Sequence, residues 1–159
     1  MKTHFQEEQK FTQWWLWLVL IGVALMPAYG IYKQIILGGV FGDKPMSDSG
    51  LIIAAVVSFG LLLLFLFSKL KTTINDKEIL INFFSFTNKS IQWQDVKSAE
   101  LITYSFVGYG IRLFTKYGTV YNTKGNKGLA LELKNGKSLL IGTQKMEELK
   151  EVVTKVWKL

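Results

Sequence analysis

The chain has 159 residues, 49% of them hydrophobic and 19% charged, with 19 basic against 12 acidic side chains and a formal net charge of +7. It contains no cysteine and one histidine, His4, which removes disulfides, thiolate metal sites and Ser-His-Asp chemistry from consideration. A length of this order makes one or two small units.

Residues 1–10 are expected to form an N-terminal tail. From Phe11 to Tyr32 the chain carries 22 consecutive uncharged residues, "FTQWWLWLVLIGVALMPAYGIY", and from Ser49 to Ser68 another 20. A membrane span needs about 20 apolar residues, so 11–68 is expected to be a transmembrane helical hairpin with spans at 11–32 and 49–68. Two buried helices of a soluble protein are the alternative. A cleaved signal peptide would suit the small residues Ala28 and Gly30. The apolar stretch before them, however, exceeds the usual 7–15 residues and is interrupted by Pro27. Trp14, Trp15 and Trp17 suit an interfacial belt. Pro27 is expected to bend the first helix, Asp48-Ser49 to cap the second, and Ala24/Ala28 with Ala54/Ser58 to let the two approach.

Lys2, Lys10, Lys69 and Lys71 flank the spans on one side, against Lys33 and Lys44 in the intervening loop. This bias predicts that both termini and the C-terminal domain are cytoplasmic. Neither span carries an ionisable side chain, which speaks against an ion or proton pathway.

After Leu70 the period changes to that of strands. "EILINFFSF" sets Ile79, Ile81 and Phe83 on one face, and "SIQWQDV" sets Ile91 and Trp93 inward with Gln92 and Gln94 outward. Further short strands follow without helical patterns between them, which predicts an antiparallel meander. Within "GNKGLALELKNGKSLLIG", Gly136-Lys137-Ser138 resembles the end of a phosphate-binding P-loop. That loop needs a glycine five positions earlier, where Leu131 stands, and must open a helix. Asn135-Gly136 between two alternating runs predicts a hairpin with a type I′ turn instead. The chain ends in an amphipathic helix, expected over 144–158, with Met146, Leu149, Val152, Val153, Val156 and Trp157 in one stripe and Thr143 as a cap.

About seven strands closed by a C-terminal helix over 69–159, behind a two-helix hairpin, resemble the bacterial pleckstrin-homology-like (PH-like) membrane proteins. "IQWQDV" (Ile91 to Val96) is similar to that family's I-x-W-x-D-I strand. The resemblance implies a membrane protein of α+β class with a PH-like antiparallel β-barrel or roll. It implies a location in the bacterial inner membrane and a role in scaffolding or assembly. The basic run that carries phosphoinositide binding in eukaryotic PH domains is not evident, since "NDKE" (Asn75 to Glu78) is mixed in charge.

All of the net charge lies beyond residue 68. The candidate ligand-binding residues are Arg112, Lys116, Lys124, Lys127, Tyr109 and Tyr121. They combine the sole arginine with aromatics and a glycine-rich loop, "NTKGNKG", able to face an anion. Tyr104, Phe106, Phe114 and Tyr117 belong to the same cluster, and its bland alternative is core aromatics with solvating lysines. No paired carboxylates are evident, so no enzymatic activity, metal or cofactor is expected. The expected function is a non-enzymatic membrane-anchored binding or scaffold module with a protein partner or self-association, and no nucleic acid. The alternative is a sensor of anionic lipid headgroups or a phosphorylated ligand.

Overall fold

The computed structural model describes residues 2–84, 86–105 and 107–157. It contains two compact units. Met1–Phe11 with Ser68–Leu159 form a β-rich unit, and Thr12–Phe67 form a helical one.

In the helical unit, α1 (Trp14–Ile31) runs on through Pro27 and continues as a π-helical turn, Tyr32–Ile36. It packs on α2 (Asp48–Phe67). Both are long and apolar enough to cross a membrane. Their buried positions are small or few: Leu20, Ala24, Pro27 and Gly30 on α1, and Leu51 and Ser58 on α2. Ala24 and Ser58 were expected there, as small residues that let helices approach. The cap of α2 falls earlier than Asp48-Ser49. Ser47 Oγ accepts the Gly50 N–H at 3.2 Å, while Asp48 sits in the first turn and accepts Gln34 Nε2 at 2.7 Å.

The β-rich unit departs from the expected meander in three ways. Among the described residues it has nine strands instead of about seven, they do not close into a barrel, and they are not all antiparallel. One sheet orders its strands β1-β2-β3-β4, with β1 Thr3–Lys10, β2 Lys69–Asn75, β3 Glu78–Phe83 and β4 Thr87–Gln92. A 3-10 turn at Trp93–Asp95 leads to the second sheet, ordered β5-β8-β9-β7-β6. Its strands are β5 Val96–Thr103, β6 Gly110–Thr115, β7 Gly118–Asn122, β8 Lys127–Leu133 and β9 Ser138–Gly142. Helix α3 (Met146–Trp157) follows.

Residues 3–10, expected to be a tail, are strand β1, paired antiparallel with β2 from Thr3↔Asn75 to Lys10↔Lys69. Phe5 is buried on its core face, and Phe11, just beyond the strand, is buried and meets Phe83 edge-on at 6.4 Å. Strand β9 lies between β8 and β7 and pairs in parallel with β7, Val120 opposite Leu140. Its Leu139-Leu140-Ile141 run is buried on both faces, the pattern of a central strand rather than a meander edge.

The alternation of β3 holds: Ile79, Ile81 and Phe83 are buried while Leu80 and Asn82 are exposed. Ile91 and Trp93 also point inward and Gln92 and Gln94 outward, although Trp93 opens the 3-10 turn rather than extending the strand. The Asn135-Gly136 hairpin forms with a different turn. Gly136 has φ +81°, Asn135 is not left-handed, Gly136 N–H donates to Leu133 O, and Leu133 N–H to Lys137 O. This is a three-residue loop with one left-handed glycine, not a type I′ turn. Gly136-Lys137-Ser138 leads into β9, so no helix opens there as a P-loop requires.

Helix α3 buries Leu149 and Val153 fully. Thr143 Oγ1 accepts the Lys145 N–H at 3.0 Å just ahead of the helix, and Trp157 stacks on Trp93 with centroids 5.6 Å apart. Lys158 and Leu159 lie outside the described residues.

Candidate functional site

The residues singled out around Arg112 divide into three groups. Arg112 is exposed in the middle of β6, opposite Val120, and its guanidinium covers Gly108 closely enough that a side chain there would strike Nε. Lys116 lies in the turn after β6, with Nζ 4.9 Å from the centre of the Tyr117 ring. Lys124 lies in the connection beyond the far end of β7, and Lys127 opens β8 just after it. The five-residue strand β7 alone holds them about 17 Å from Lys116. The four basic residues therefore do not converge.

The aromatics are mostly core. Tyr104 packs with Val120 and Leu140 and meets Tyr117 edge-on at 5.9 Å. Burial, helped by Tyr109 and Tyr117, pushes its phenol up to about 12, and its hydroxyl has no hydrogen-bond partner. Tyr121 is buried, which raises its phenol above the usual range. Tyr109 is half-buried ahead of β6. Phe106 lies outside the described residues.

Phe114 behaves differently. It is 100% exposed and holds φ at +58°, the single left-handed non-glycine among the described residues. For an L-residue this conformation costs about 1–2 kcal/mol, and an aromatic ring in water adds nothing to offset it. Leu113 beside it is 59% exposed. β6 is the outermost strand of its sheet, and its pairing with β7 is irregular between Arg112 and Thr115. Arg112 and this irregularity are common protections of a sheet edge, yet Leu113 and Phe114 still leave two apolar side chains exposed on it.

The "NTKGNKG" loop spends its polar groups internally. Asn122 Oδ1 accepts the Lys124 N–H at 3.0 Å, Asn122 Nδ2 donates to Gly125 O at 3.1 Å, and Gln144 Nε2 donates to Lys124 O at 2.5 Å. Thr143 N–H donates to Lys127 O at 2.9 Å.

Sequence reasoning missed two features. The first is a buried polar seam carried by β1. Glu7 accepts Thr143 Oγ1 at 2.6 Å and the Gln144 N–H at 2.8 Å; Gln9 donates to Gly142 O at 2.7 Å and accepts Thr123 Oγ1 at 3.1 Å. These bonds join the first strand to the end of β9, the β7–β8 connection and the β9–α3 connection. The second is an opening of about 310 Å³ between β4 and the β8–β9 hairpin, lined in part by Lys89, Lys134, Lys137 and Asp95. Neither has a local motif: the residues come from segments far apart in the sequence.

His4 bonds Asp76 at 2.5 Å, and that hydrogen bond holds the Asp76 carboxyl below its ordinary range. Comparison of the chain with protein-family models and with curated proteins gives no match.

Proposed function

We propose that this chain is a membrane-anchored, non-enzymatic binding module of PH-like type that engages a protein partner along strand β6. The observation that carries the reading is the exposed pair Leu113 and Phe114 on the outer strand of the five-stranded sheet, with Phe114 held in a strained conformation. Strain at an exposed position persists at a cost to folding and suits a site selected for binding. A partner strand added to β6 would satisfy its outer backbone groups, while Phe114 and Leu113 would supply the apolar contact.

The anchor is the helical hairpin in a bacterial inner membrane, with both termini cytoplasmic. Leu18, Val19, Val23, Ile53, Val56 and Val57 are exposed along the helices, as side chains facing lipid would be. The β-rich unit is built from both ends of the chain. The chain leaves it after Lys10 and returns at Lys69, which pair in adjacent strands, so an even number of crossings keeps one folded unit on one side. The nine-strand, two-sheet arrangement with a C-terminal helix supports PH-like kinship as regards the order of strands and helix, without a closed barrel.

Phe114→Gly gives the test. Glycine accepts positive φ freely, so the variant is expected to gain about 1 kcal/mol of stability while losing its partner. Native-membrane pull-downs of the wild type and of this variant, with unfolding followed in parallel, read both effects. An unchanged set of copurifying proteins would exclude β6 as the binding edge.

A further inference from the structure

Lys89 occupies an unusual position. Strand β4 alternates with Ile91 buried, Lys89 and Thr87 half-buried, and Asn88 and Ser90 exposed. In the register with β3, Ile91 lies opposite Ile79 and Lys89 opposite Ile81, both of which are fully buried. Lys89 therefore projects from the core-facing side of an edge strand. Across the gap stands the β8–β9 hairpin with Lys134 and Lys137, held to the β4–β5 corner by the Lys134 N–H bonded to Asp95 O at 2.9 Å. Burial and the nearby charge of Lys137 pull the Lys89 ammonium below the usual lysine range.

An inward charge on an edge strand is a known device against edge-to-edge pairing. That device explains Lys89 alone. It does not explain the two further lysines that line the same opening from the other sheet, of which Lys137 is near enough for its like charge to act on Lys89. Asp95 is the one carboxylate of the lining, and none of the three lysines forms an ion pair with it. Three ammonium groups against one carboxylate leave two positive charges around the opening. A phosphomonoester carries about −1.5 to −2 at neutral pH, and lysines bind phosphate as point charges. A volume of about 310 Å³ matches the lower end of small-molecule sites.

We propose that the opening between β4 and the β8–β9 hairpin is a phosphomonoester site, with Lys89, Lys134 and Lys137 as its ligands. It lies on different strands from the β6 edge and does not depend on that edge binding a partner. Two backbone amides of the hairpin tip are already used, Gly136 N–H on Leu133 O and Lys137 N–H on Asn135 Oδ1, so the lysine side chains carry the recognition.

The experiment uses the full chain in neutral-lipid nanodiscs at fixed ionic strength. Glycerol 3-phosphate is titrated as the soluble probe, and phosphatidic acid is added to the nanodisc as the membrane-borne one. Saturable binding of either is expected, weakened at least tenfold by Lys89→Met and by Lys137→Gln, and unchanged in a Lys124→Gln/Lys127→Gln variant. Binding of the soluble probe alone identifies a free phosphorylated metabolite as the source, and binding of phosphatidic acid alone identifies a headgroup. Absence of saturable binding to both probes would overturn the site, as would equal loss with the Lys124/Lys127 variant. A folded Lys89→Met or Lys137→Gln chain with undiminished affinity would do the same.

Discussion

Trp93→Ala is expected to lower the unfolding free energy of the chain by about 3–5 kcal/mol, the range for truncating a buried large aromatic. Trp93 is 6% exposed and does more than fill space. Its backbone N–H donates to Lys77 O at 2.9 Å and its indole Nε1 to Asn75 O at 3.0 Å, so it clamps the β2–β3 turn from both ends. On the other side its ring stacks on Trp157 and ties down α3. Trp93→Phe keeps most of the ring and loses the indole hydrogen bond, so its cost should be smaller, about 1–3 kcal/mol. Urea unfolding of the full chain in detergent, with the transition followed by circular dichroism, measures both. Equal stability of Trp93→Ala and wild type would mean that neither the turn nor α3 depends on this side chain.

Removal of residues 2–11 has a still larger expected effect. Strand β1 contributes Phe5 to the core, and the chain just after it contributes Phe11; burying two such rings is worth about 3–6 kcal/mol. The four hydrogen bonds of Glu7 and Gln9 add about 2–6 kcal/mol. Together these rival the 5–15 kcal/mol that holds a typical domain folded. A 69–159 fragment should therefore be largely unfolded. Residues 2–11 joined to 68–159 through a short Gly/Ser linker should fold, because Lys10 and Lys69 are already paired neighbours. Circular dichroism and amide exchange on the two polypeptides decide it. A stably folded 69–159 fragment would show that β1 is an accessory.

These two cases mark where the sequence was legible. Ile79, Ile81, Phe83, Ile91 and Trp93 follow a period of two with apolar residues inward, so their faces could be assigned. The stripe of α3 was equally clear, with Leu149 and Val153 buried where a period of 3.6 puts them. β1 could not be found by that rule because its inward positions include Glu7 and Gln9. Their burial is stabilised only by partners more than 110 residues away, which no local window contains. The parallel pairing of β9 was hidden for a related reason: hairpin signals report neighbours in sequence, and Val120 with Leu140 are not such neighbours.

The candidate site was legible in part. Arg112 does stand alone and exposed, but period and composition could not tell that Tyr104 and Tyr121 face inward while Phe114 faces water. The left-handed φ of Phe114 has no sequence signal, since nothing at that position asks for glycine or asparagine. Lys89 was hidden because a half-buried lysine on an edge strand looks, in sequence, like any solvated one.

In the proposed arrangement one β-rich unit, made from both ends of the chain, is held on the cytoplasmic side by a hairpin that crosses the membrane twice. Because the chain has no cysteine, single thiols can report on it without background. Cysteines placed one at a time at Lys2, Lys44 and Lys155, all exposed, are treated in intact cells and after permeabilisation with a membrane-impermeant maleimide. Labelling in intact cells at position 44 alone, with positions 2 and 155 reacting only after permeabilisation, is the predicted result. Reaction at position 155 in intact cells, or opposite behaviour of positions 2 and 155, would contradict it.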